Sequence, residues 1–198
     1  MSRTRPISRP PAPLSFSKSV DAAVRRTLPE LEGRPVRISF LPALSAAHGK
    51  LYSKRQQGQP VHAATFIRRR EIVLDDELRR KPNELTRILT HELFHFAWVR
   101  LNNQARRSYE SILLEELQRH ARGELGWSAE WRKGKLAGGD RMARTRRWRE
   151  YCCESFCDTA AWLYGGVARH EEFTLAAPVR AARRKWFART GVDAGISI

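Results

Sequence analysis

The sequence predicts an α+β fold, with a small and mainly antiparallel sheet from residues 36–75 packed on two helices. Three observations point there. Short segments with alternating apolar residues precede residue 76. The run Glu84 to Leu101 is apolar nearly all round, as a central buried helix is. A second helix-forming run, Arg149 to Tyr164, sets Glu154 and Asp158 among small and apolar residues.

Taken in order, residues 1–16 read as a disordered basic arm, because MSRTRPISRPPAP is too rich in Arg, Pro and Ser to build a packed element. Residues 17–198 read as one domain. Ser17 to Leu28 carries Val20, Ala23, Val24 and Leu28 at helical spacing, and Pro29 and Gly33 close it. Val36, Ile38 and Phe40 alternate with Arg37 and Ser39, which makes a half-buried strand ended by Pro42. Residues 43–60 are polar and loop-like, with a short strand at Lys50 to Ser53. Val61 to Ile67 and Glu71 to Leu74 read as strands joined by Arg68-Arg69-Arg70. Pro82 and Asn83 open the central helix, since proline suits a first helical turn.

Residues 102–148 form a basic helical insertion with one amphipathic helix, Ser108 to Arg122, then Gly126-Trp127-Ser128-Ala129-Glu130-Trp131 and the run Arg141, Arg144, Arg146, Arg147, Arg149. The Arg149 to Tyr164 helix stops at Gly165-Gly166, and a basic helix opened by Pro178 follows.

The central helix contains His91-Glu92-Leu93-Phe94-His95, an H-E-x-x-H pattern that chance gives roughly once in a hundred chains of this length. Residues four apart share a helix face, so both imidazoles can aim at one point. Zinc binds such nitrogens at about 2.0–2.1 Å and keeps a position for water in catalytic sites. Glu92, about 100° round the helix, is placed to act on that water as a general base. The bland alternative is one histidine facing solvent and one satisfied in the core. A buried helix argues against it, because buried polar groups need partners.

A third ligand is needed, and His120, Glu154, Asp158 and His170 are the downstream candidates. Glu154 and Asp158 lie four apart, and two carboxylates on one buried face repel unless something cationic or donating intervenes. Zinc for the first and an imidazole N–H for the second resolves this. Pairing with nearby arginines such as Arg147 is the alternative.

His91-Glu92-x-x-His95 followed by Glu154-x-x-x-Asp158 resembles the gluzincin metallopeptidases, the thermolysin-like clan. Ile72-Val73-Leu74-Asp75 leading into Thr90 to His95, and Glu154 to Ala161, are similar to segments of the ImmA/IrrE-type minimal gluzincins. Residues 102–148 lengthen the gap beyond what that group implies, and no helix-turn-helix-like segment precedes the pattern. Trp127 to Arg132 looks like the segment around the third histidine of SprT-like peptidases, but the histidine is missing; His120 is the nearest substitute. The gluzincin resemblance implies a zincin-like fold, Zn2+ on His91, His95 and Glu154, and Asp158 orienting His91. It also implies peptide hydrolysis through a water activated by Glu92, with Tyr151, Tyr164 or His170 stabilising the oxyanion. The strand Ile72, Val73, Leu74 would act as the edge that pairs with an extended peptide or protein substrate.

Net charge is +16, with 37 Lys and Arg against 21 Asp and Glu. That suits nucleic acid or another polyanion as a partner, and equally a solvated basic surface. A regulatory peptidase acting on a DNA-bound protein and a non-catalytic zinc module are the competing readings. Cys152, Cys153 and Cys157 lie within six residues, which suits no disulfide framework. A cysteine metal cluster is a weaker alternative, for want of a C-x-x-C pair. With no apolar leader and no long apolar run, the expectation is a cytoplasmic protein with no membrane partner.

Overall fold

Residues 28–54, 57–191 and 195–198 are described by the structure, a computed structural model. The basic arm and the helix expected from Ser17 lie outside the described residues, save for Leu28.

The architecture is mixed α and β, with small and mostly antiparallel sheets and five helices among the described residues. Strands β1 (Leu31–Glu32), β2 (Arg37–Leu41), β3 (Leu44–Ala47), β4 (Lys50–Ser53), β5 (Gln59–Pro60), β6 (Ala63–Phe66) and β7 (Glu71–Asp75) precede the helices. Helices α1 (Pro82–Arg100), α2 (Asn103–Gln118), α3 (Trp127–Lys133), α4 (Arg146–Tyr164) and α5 (Ala177–Arg189) follow, then β8 (Ile196–Ser197). One sheet has the order β2-β7-β6, with β2 parallel and β6 antiparallel to β7. A second is the antiparallel β4-β3-β5, and β1 pairs with β8 in parallel.

This arrangement corrects two expectations. Residues 43–60 hold three strands, where a loop with one strand was expected; Leu44-Ser45-Ala46-Ala47 shows no alternation and weak strand propensity, so only pairing reveals it. And β7 is a central strand. Ile72 and Leu74 are 0% exposed, and both edges of β7 are hydrogen-bonded. Ile72, Val73 and Leu74 therefore have no free edge to offer a substrate; among the described residues the edges of this sheet are β2 and β6, and β6 is the one packed beside α1.

Helices α1 and α4 pack side by side and carry the main core, including Leu89, Phe94, Phe96, Phe156 and Ala160. Phe94 stacks on Tyr164, which puts that ring in the core. Tyr109, Leu113, Ala129 and Trp148 join the same core, so residues 102–148 are integral to the domain. Asn102 caps α2 by accepting from the Ala105 N–H at 2.8 Å, which starts the helix five residues earlier than Ser108. No helix among the described residues is long and apolar enough to cross a membrane.

Candidate metal centre

One face of α1 presents Arg87, His91 and His95 at four-residue intervals, and α4 lays Cys153, Glu154, Cys157 and Asp158 against it. Both nitrogens of His91 meet carboxylates. Nδ1 lies 2.7 Å from Asp158 Oδ1, and Nε2 lies 3.3 Å from Glu154 Oε2. The second Asp158 oxygen accepts the Ala129 N–H at 3.0 Å, which ties this carboxylate to the start of α3. Gly126 leaves the room for it: a Cβ there would stand 2.2 Å from the Asp158 carboxyl carbon.

His95 has different surroundings. Its ring meets that of His91 edge-on at 4.9 Å, and its Nδ1 faces two sulfurs, Cys153 at 3.4 Å and Cys157 at 3.5 Å. Donor atoms of His91, His95 and Cys157 lie within 4.8 Å of one another, so these residues form a candidate metal-binding cluster. His120 is exposed beyond the end of α2, and neither it nor Glu154, the expected third ligand, is part of that cluster.

Electrostatics single out Glu154. Burial raises its pKa, but the His91 hydrogen bond and the charges of His95, His91 and Arg132 outweigh burial and hold the carboxyl at about 2. Arg132 supports it directly, 3.2 Å from Oε1. Burial pulls His91 down, yet Asp158 and Glu154 lift it well above the ordinary histidine value. The Cys157 thiol is pushed up by burial and by Cys153.

Glu92 reaches the opposite wall, where Oε2 accepts from the Thr65 hydroxyl at 2.5 Å. Thr65 sits on β6, so the Glu92 carboxylate is held by an edge strand. A cleft of about 370 Å³ runs between this strand and α3, lined among others by His62, Ala63, Arg87, His91, Glu92 and Trp127.

The oxyanion candidates Tyr151, Tyr164 and His170 fall outside the cleft lining, as do His95 and Glu154. Tyr151 is wholly buried and donates to Glu124 at 2.6 Å, so it cannot approach a substrate. His170 spends Nε2 on Glu84 at 2.7 Å and accepts the Glu172 N–H on Nδ1 at 3.2 Å, leaving no donor for an oxyanion. Glu172 in turn pairs with Arg87 and caps Trp127 N at 2.8 Å. Residues missed by sequence reading are Thr65, Arg132, Arg87 and Trp127. They lie on three separate elements, and of the four only Arg87, four residues before His91, stands in a spacing pattern with the histidines.

Comparison with family models, curated proteins and solved structures returned no match.

The Asp158 bond carries a testable consequence. A fixed His91 tautomer needs this acceptor, so Asp158→Ala is expected to lower metal affinity at the cluster about 10–100-fold with the helical content retained. Competition against a chromophoric chelator measures it, and an unchanged affinity would remove Asp158 from the site.

Proposed function

We propose that the chain is a zinc-dependent peptidase whose metal is held by His91, His95 and Glu154 and whose general base is Glu92. The observation that carries this reading is the imidazole of His91 gripped from both sides, with Asp158 on one nitrogen and Glu154 facing the other. Asp158 reserves the Nδ1 proton and leaves Nε2 as a lone-pair donor. A divalent cation between Nε2 and Glu154 would be held by both. The 3.3 Å separation fits, because two ligands about 2.0–2.1 Å from a tetrahedral zinc stand roughly 3.3 Å apart. Glu154, 3.3 Å from His91 Nε2 and backed by Arg132, is the third ligand in preference to Cys157, which faces His95 Nδ1 beside Cys153.

When bound, zinc would supply a Lewis acid and lower the pKa of a water beside it. Glu92 then takes the proton of the attacking water and returns it to the leaving amine. The Thr65 hydroxyl, donating to Oε2, aims the carboxylate. The peptide enters the cleft alongside β6, whose backbone supplies sequence-tolerant hydrogen bonds. His62, lining the same cleft, carries a ring donor for oxyanion stabilisation.

The metal assignment is tested by zinc content after dialysis. Wild type and Cys157→Ser should retain about one zinc per chain, and Glu154→Ala should lose it. The reverse result would make Cys157 the third ligand. The basic surface keeps the regulatory reading in view, although Arg144 is spent on Glu110 in a two-point ion pair at 2.9 and 2.7 Å.

A further inference from the structure

The cysteines of α4 are unused by the proposed chemistry, and their placement is specific. Cys153 and Cys157 are four apart on one helix, so their sulfurs share a face. Both converge on a single atom, His95 Nδ1, at 3.4 and 3.5 Å. The partners of the two histidines differ in kind. His91 Nδ1 has a carboxylate, whereas among the described residues His95 Nδ1 has two sulfurs and no oxygen. Thiols are weak hydrogen-bond partners, so a nearly buried ring nitrogen is poorly served by them alone.

We propose that Cys153, Cys157 and His95 Nδ1 form a second metal site, for a soft thiophilic cation, which shares His95 with the proposed zinc ligands and adjoins His91. Distances support three ligands of one ion. With metal–sulfur bonds of about 2.3 Å and metal–nitrogen bonds of about 2.0–2.1 Å, tetrahedral geometry sets sulfur and nitrogen roughly 3.5 Å apart. The two observed separations match that value. On binding a divalent ion to the metal-stripped protein, each thiol releases its proton and the neutral His95 imidazole keeps its proton on Nε2, so Nδ1 donates a lone pair and two thiolates balance the two positive charges. Softness follows from the donors, since thiolates select thiophilic metals. Cys157 is buried, but Cys153 is partly exposed and opens the way in.

A disulfide is the competing use of the pair, and geometry disfavours it. Residues four apart on a helix have Cβ atoms about 5–6 Å apart, against the 3.5–4.5 Å or so that a disulfide needs. The spacing that lacks a C-x-x-C pair is thus suited to holding an ion between the sulfurs.

Cadmium alone is the probe. Titrated into chelator-stripped full-length protein, it should raise a sulfur-to-cadmium charge-transfer band that saturates at one equivalent. Cys153→Ser and Cys157→Ser, both conservative, should each reduce the band by at least half while circular dichroism stays constant. His91→Ala should leave it in place, and this separates the site from the zinc cluster. A band that survives Cys153→Ser but vanishes in His91→Ala would assign the sulfur to the zinc cluster and overturn the second site. Absence of any band in the wild type would overturn it as well. Hydrolysis is not read, so the band can persist even if the peptidase assignment fails.

Discussion

Glu92→Gln is expected to keep its zinc and its fold and to lose peptide hydrolysis by several orders of magnitude. The substitution is isosteric, so Thr65 keeps a partner and β6 keeps its place beside α1. What disappears is the proton acceptor and, with it, the shuttle to the leaving group. General acid–base catalysis alone contributes about 10²–10⁴-fold, and Glu92 serves in both directions. A fluorogenic generic peptide measures the rate, and metal analysis on the same sample measures occupancy. If the variant cleaves as fast as wild type with zinc bound, Glu92 is not the base. If it loses both zinc and activity, its role is structural.

Arg183→Met should be the most destabilising single change in the core. Arg183 is 0% exposed on α5 and donates to Glu116 at 2.9 and 2.6 Å, to Glu124 at 2.8 Å and to Thr159 at 3.3 Å. Lys133 adds a second cation 3.2 Å from Glu124, and Tyr151 donates to the same carboxylate. Two cations balance two buried carboxylates, and deleting one leaves a negative charge without compensation. Breaking such a buried pair typically costs about 3–5 kcal/mol. Urea unfolding gives the value, and a loss below about 1 kcal/mol would contradict the network's role.

The same network sets a pH limit. Burial raises the Glu124 pKa, but Arg183 and Lys133 outweigh it and leave the group below the ordinary carboxylate value. A group depressed on folding stabilises above its unfolded pKa, about 4.3 for glutamate, and loses that contribution as pH falls through the folded value.

Much of α1 was legible because its signals are local: Pro82 at the start, an apolar run, and histidines at helical spacing. Helix α4 and the proximity of Glu154 and Asp158 to His91 were legible for a related reason, since two carboxylates among buried residues demand partners. What the pattern could not settle was set by pairing between distant segments. Whether β7 is an edge or a centre depends on β2 lying 34 residues earlier, at Arg37↔Glu71. Tyr151 and His170 were the right chemical types in the right region, but their partners, Glu124 and Glu84, come from other elements. The sulfurs facing His95 were equally hidden, because i,i+4 cysteines carry no meaning until a third donor is placed.

Gly126 shows how tightly the longest intervening block is bound to the chemistry. Its backbone is extended, a conformation any residue adopts, so the demand for glycine comes wholly from the Asp158 carboxyl pressed against it. Segments between ligand-bearing helices are ordinarily where lineages drift, gaining and losing residues with little penalty. Here the alphabet at one position collapses to a single letter, because even a methyl group would push the carboxylate off His91 and Ala129 together. Residues 102–148 can therefore have been added or reshaped only around a fixed point, and a lineage that lost this glycine would have to relocate the acceptor for His91 in the same step.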